Sequence, residues 1–182
     1  IFRVDWSNLP VNIINTTDAC NGITGITNNL GEARSEGVEL EGSFAVTADL
    51  LVNFSAAYMD TELTETRTSF GELGESLPFA PQSSASLGMQ YEFELADSPS
   101  FVRADMSYVG EYENGFRSSG YPTSGDYTKV NVRAGMSLNE SWTLGFYVNN
   151  LLGEDATTLD EFGRRGSRVT PRKLGFEASY NF

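Results

Sequence analysis

The sequence contains no histidine, one cysteine at position 20, and only 12 lysines and arginines against 25 aspartates and glutamates, for a formal net charge of −13. Each shortage removes a class of activity. Without histidine there is no Ser-His-Asp or Cys-His machinery and no His-containing zinc site, and Cys20 alone cannot build an all-cysteine one. An acidic chain repels nucleic-acid phosphates, so a nucleic-acid partner is not expected. No run approaches the roughly 18 consecutive apolar residues that a membrane-spanning helix needs. The acidic residues Asp60, Glu62, Glu65, Asp155, Asp160 and Glu161 form no D-x-D-x-D-G run, and nothing positions carboxylates around a pocket. No metal, no cofactor and no enzymatic role are expected.

What the chain does have is aromatics, glycine and strict alternation. It carries 12 Phe, 8 Tyr, 2 Trp and 18 Gly. In eight segments every second residue but Gly42 is apolar, the two-residue period of a strand with unlike faces. The apolar series runs Phe2, Val4, Trp6; Val38 to Val46; Leu50 to Tyr58; Ala85 to Leu95; Val102 to Tyr108; Val130 to Leu138; Trp142 to Val148; and Leu174 to Phe182. None of its members is charged. The interleaved series is small, polar or charged: Arg3, Asp5, Glu39, Glu41, Glu92, Arg103, Asp105, Arg133 and Glu177 all belong to it. An antiparallel all-β sheet, oily on one face and wet on the other, is the predicted fold class.

The connections alternate in length. Short ones fall near Thr47 to Asp49, Ala96 to Pro99 and Asn139 to Ser141, where tight hairpins are expected. Long ones, rich in Gly, Thr, Ser, Asn and acids, cover about 15–32, 63–80, 113–126 and 154–170. Pairing Phe93 with Val102 in the second hairpin sets Glu92 opposite Arg103, a favourable charge pair on the wet face.

Alternation does not itself say whether the oily face points into a core or out into lipid. Three features favour lipid. The oily series holds more aromatics than a small closed barrel packs easily, whereas an outer-membrane barrel places them in interfacial girdles. The wet series has the small residues and mixed charges of a lumen. Long loops at one end and short turns at the other match outer-membrane architecture.

Specific residues then carry a family resemblance. The last strand, Arg172 to Phe182, ends on an aromatic with Gly175, Tyr180 and Phe182 placed like the C-terminal insertion signal of outer-membrane barrels. The run Gly31 to Glu41 (GEARSEGVELE), the Leu77-Pro78 to Ala80-Pro81 loop exit, the strand end Val148 to Gly153 (VNNLLG) and Pro171-Arg172 follow in order. Over essentially the whole chain this resembles the C-terminal barrel region of TonB-dependent receptors, barrels of about 22 strands with a plugged lumen. The resemblance implies that residues 1–182 are the last eight strands, with the plug domain and N-terminal strands outside this sequence. It also implies uptake of a scarce solute (an iron-siderophore, a vitamin or an oligosaccharide) across the outer membrane of a Gram-negative bacterium, energised by the TonB system acting on the plug. The expected partners are outer-membrane lipid and lipopolysaccharide, the plug, the barrel-assembly machinery at the C-terminal strand, and a small-molecule ligand. Two other readings stay open: a complete eight-stranded outer-membrane barrel with a structural or adhesive role, and a secreted β-sandwich that binds carbohydrate.

Candidate ligand contacts are the loop aromatics Phe70, Phe79, Tyr112, Phe116 and Tyr121, and the basic residues Arg164, Arg165 and Arg168. Against them stand plainer roles: rings that pack loops, and arginines that pair with acidic neighbouring loops. The charges of the wet series are expected to line the lumen. Cys20, in the first long loop, is unpaired within this sequence.

Overall fold

The computed structural model describes residues 1–15, 24–29, 31–66, 71–162 and 165–182. Cys20, Phe70 and Arg164 lie outside them. The fold is an antiparallel meander of eight strands: β1 (Phe2–Ser7), β4 (Gly31–Ala45), β5 (Leu50–Thr66), β6 (Ser83–Leu95), β7 (Ser98–Val109), β10 (Tyr127–Ser137), β11 (Trp142–Asn149) and β14 (Lys173–Tyr180). Their order in the sheet is their order in the sequence, with β1 at one edge and β14 at the other. The sheet is open, a sector of a barrel wall. Long loops join β1 to β4, β5 to β6, β7 to β10 and β11 to β14, and each pair's other ends meet in tight turns.

Local chemistry sets those turns. Thr47 Oγ1 accepts hydrogen bonds from the amides of Asp49 and Leu50 at 3.2 and 3.0 Å. Asn139 Oδ1 does the same for Ser141 and Trp142, both at 2.9 Å. These short polar side chains substitute for ladder partners where the backbone reverses. The middle turn is different: Ala96 and Asp97 both adopt positive φ, 51° and 59°, and Leu95 pairs directly with Ser98. That is a two-residue turn of the kind whose twist matches the strands it joins. It corrects the expected register by two residues. Glu92 faces Phe101 rather than Arg103, and Arg103 faces Gln90. A shift of two preserves which face each residue occupies.

The long connections are more structured than their composition suggests. Three carry two-stranded hairpins: β2 (Pro10–Asn15) with β3 (Thr24–Asn29), β8 (Tyr112–Glu113) with β9 (Thr123–Ser124), and β12 (Thr157–Glu161) with β13 (Arg165–Arg168). Strands β4 and β5 run for 15 and 17 residues, well beyond the roughly 9–11 that cross a bilayer.

Along that extra length the two faces exchange character. From Val38 to Phe44, β4 shows apolar residues on one face, paired with Tyr58, Ala56, Phe54 and Val52 of β5. The same face, carried past Gly37 by an unbroken register, then presents Glu36 opposite Asp60 and Arg34 opposite Glu62. Its reverse, polar at Glu39 and Glu41, becomes apolar at Ala33 and Leu63, which are 2% and 1% exposed. Strand β1 pairs only with this upper zone, Phe2 against Gly37 through Ser7 against Glu32. Its alternation is therefore reversed relative to expectation: Val4 and Trp6 share the face of Ser35 and Ala33, while Arg3 and Asp5 lie on the Val38 face. Arg34 donates to Asp5 at 3.1 Å and to Glu62 at 2.9 Å, and Arg3 donates to Asp5, joining these charges into one network.

Candidate functional site

Seven of the predicted wet-face residues come together on the Glu39 side of the sheet. Glu39 and Glu41 stand on β4, Glu92 on β6, Arg103 and Asp105 on β7, Arg133 on β10 and Glu177 on β14, linked by continuous registers. Arg3 and Asp5 do not join them. Three charges on this wall are satisfied locally: Arg103 donates to Asp105 on its own strand, and Gln90 donates to Glu92 at 3.1 Å. Aromatic rings tile the wall over glycines. A Cβ on Gly135 would run into the Phe101 ring, and one on Gly175 into the Tyr147 ring, each glycine lying directly across from that aromatic. Gly175, read in sequence as part of an insertion signal, thus also makes room for Tyr147. Tyr180 and Phe182 lie on the other side, with Tyr180 against Trp142 (centroids 4.9 Å apart) and Phe182 (5.2 Å).

At the loop end, the connections bind one another. Phe116 is buried with Leu9, Ala33 and Leu63, and Leu77 packs alongside. Its ring ties the β7–β10 loop to the wall and is not open to a ligand. Glu75, from the β5–β6 loop, accepts hydrogen bonds from the amide and hydroxyl of Ser118, and the Phe79 amide donates to the Glu113 carbonyl at 2.8 Å. Burial opposes ionisation of Glu75, but donors from Glu72 and Ser118, with Arg117 nearby, outweigh it and hold its carboxyl below the usual value. The third loop joins through Tyr112, whose hydroxyl donates to the Thr158 carbonyl at 2.7 Å, and through the Gly125 amide, which donates to Thr157. Burial, then the neighbouring Tyr127, pushes the Tyr112 phenol up.

The aromatic candidates are partly drawn into this layer. Phe79 and Tyr112 sit with centroids 6.5 Å apart, and Tyr121 packs on Phe162 at 4.4 Å. Phe162 is exposed and has a positive φ of 55°; no motif or periodicity singles it out. Arg168 bonds Asp155 at 2.6 Å, an acid of its own loop where a neighbouring loop was expected. Arg165 begins β13 opposite Glu161.

One residue missed in sequence anchors the loop after β11. Asn150, 1% exposed, donates from Nδ2 to the carbonyls of Glu154 and Thr170, accepts from the Glu154 amide, and gives its own amide to Asn131 Oδ1. Its φ of 53° is one that asparagine tolerates better than most residues. The Asn149-Asn150 pair at a strand end was the available signal.

An open antiparallel meander with one face apolar across seven strands and the reverse face lined by charges is the wall of a transmembrane barrel. The chain belongs to the family described as TonB dependent receptor-like, beta-barrel, whose model matches residues 1–151. It is 35% identical over 132 residues to the metal-pseudopaline receptor CntO of Pseudomonas aeruginosa, covering 70% of this chain and 18% of that protein. Among solved structures it resembles the ferric yersiniabactin uptake receptor FyuA of Yersinia pestis (TM-score 0.74, 19% identity, 86% of this chain and 25% of that one). It likewise resembles the ferric-catecholate import receptor Fiu of E. coli K12 (TM-score 0.74, 21% identity, 99% and 24%). The chain spans less than a fifth of the curated relative and about a quarter of these structures. Its relatives are transport receptors, not enzymes.

Proposed function

We propose that these residues are the C-terminal wall and loops of an outer-membrane receptor that takes up a metal chelate. The observation that carries this reading is the match to the receptor barrel family over residues 1–151, on a sheet whose apolar face stays exposed among the described residues. Val38, Leu40, Phe44, Met89, Tyr91, Leu144, Leu174 and Phe176 are all exposed there, Phe176 by 85%. Soluble monomers rarely expose a continuous apolar surface of this kind, and lipid is its natural solvent. On this reading the Glu39 face lines the lumen and holds the plug, and the TonB system acts on that plug. The C-terminal strand with Gly175, Tyr180 and Phe182 is read by the barrel-assembly machinery, and the bonded loop layer meets lipopolysaccharide and the incoming ligand. The metal-chelate class follows from the relatives, whose names specify metal-pseudopaline, ferric yersiniabactin and ferric catecholate. The linear strand order, with β1 and β14 at opposite edges, disfavours a self-contained eight-stranded barrel.

The test is accumulation of a radiolabelled metal, offered as a panel of ferric and zinc chelates, in cells with and without the full gene. Uptake of at least one chelate that needs the gene and stops when the proton gradient is collapsed supports the reading. Equal uptake of every chelate in both strains counts against it.

A further inference from the structure

Arg133 stands directly opposite Arg103 on the polar face, two like charges in register on adjacent strands. Such a pair costs stability unless an anion joins it. Arg103 has its answer in Asp105, and its guanidinium lies over Gly88 beside Asn53. Arg133 has none: it is exposed, and among the described residues no carboxylate or carbonyl bonds to its guanidinium. Its neighbours also leave space around it. Tyr147, across on β11, leans over Gly175 and away from β10. Along its own strand, Asn131 is engaged with the Asn150 amide, and Gly135 is covered by Phe101. The nearer acids of the wall are committed, Asp105 to Arg103 and Glu92 to Gln90.

We infer that Arg133 is the wall's anchor for a carboxylate side chain of the plug, the domain of the same polypeptide that fills the lumen. This rests on the uptake reading above. The chain spans 18% of the length of CntO and 25% of FyuA, and on that reading the plug lies outside these residues. Arginine's planar fork binds a carboxylate through two parallel N–H donors, and that bond both holds and orients the plug. A carboxylate between Arg133 and Arg103 also removes the like-charge conflict, which otherwise has no reason to persist on a wall that is net acidic.

The experiment uses the full-length receptor in isolated outer membranes. Arg133→Lys keeps the charge and supplies an amine that a zero-length carbodiimide couples to any carboxylate in contact. Lys129, on the same strand and face, is the built-in control. The inference expects a crosslinked peptide joining the segment around position 133 to an acidic residue of the plug. Coupling of position 133 only to wall carboxylates, or none there while Lys129 couples to the plug, overturns it and leaves the uptake reading standing. A full-length protein with no luminal domain overturns that reading itself. A second variant guards against an unproductive amine. Arg133→Gln should lower the urea concentration at which the plug becomes protease-sensitive while the barrel stays heat-modifiable, and an unchanged midpoint contradicts the inference.

Discussion

Arg34 and Glu62 face each other across β4 and β5, joined at 2.9 Å, on the same face as Val38 and Tyr58 only two rows away. Apolar below and charged above, this face marks where the hydrocarbon ends and the polar exterior begins. Both strands continue through that boundary, and their reverse face becomes apolar just where Leu63 and Ala33 are covered by Phe116 and Leu77.

A charge should be costly below this line and cheap above it. Leu87→Arg, in the middle of the apolar face, should destabilise the folded receptor by about 2–4 kcal/mol, and Asp60→Arg by about 0–1 kcal/mol, the depth dependence seen in barrels. Urea titration followed by the gel shift between folded and heated barrel measures both.

Gly175 should resist any side chain. Because a Cβ there overlaps the Tyr147 ring, Gly175→Val should cost about 1–3 kcal/mol by overpacking and lower the yield of assembled barrel. Tyr147→Ala in the same chain should recover much of that yield. Failure of the second change to help would show that Gly175 acts through insertion alone.

Asn150→Ala strips two carbonyls and one amide of their partner at a buried site. The expected loss is about 1–3 kcal/mol per unsatisfied group, reduced by water entry. It should appear as faster proteolysis between Leu151 and Thr170, with the β-sheet signal unchanged. Asn131→Ala, which removes one acceptor, should have a smaller effect in the same assay.

The Glu75 clamp should open in acid. Its carboxyl is held below the ordinary value of 4.5, so its stabilisation is present at neutral pH and is lost as pH falls from that value through the lowered one. Protection of the Ser118 amide from hydrogen exchange, taken against its intrinsic rate at each pH, should fall over that range. In Glu75→Gln the exchange should already be faster at neutral pH and lose this pH dependence.

The apolar belt was legible because lipid imposes one rule on every strand crossing it: alternate residues must be oily. Seven strands obey that rule, and their faces follow from parity alone. Strand β1 broke the inference because it pairs with β4 only above the belt, where the rule inverts; Val4 and Trp6 are oily for a different reason from Leu40. The Ala96-Asp97 turn lies where a hairpin is expected, but its register was hard to read because neither residue is the glycine that usually signals positive φ. The loop layer was opaque because its bonds, such as Glu75 to Ser118 and Tyr112 to Thr158, join residues 43 and 46 positions apart, and no periodicity links such distant points.

On this reading Leu40 meets lipid while its neighbour Glu41 meets the watery lumen. Spin labels placed singly at Leu40 and Glu41 of the full-length receptor in bilayers test it by collision with oxygen, which partitions into lipid, and with a water-soluble nickel chelate. High oxygen and low nickel accessibility at position 40, with nickel exceeding oxygen at position 41, is the predicted result. A label at position 40 sheltered from both, as in a soluble sandwich core, or the opposite pattern at the two sites, would contradict it.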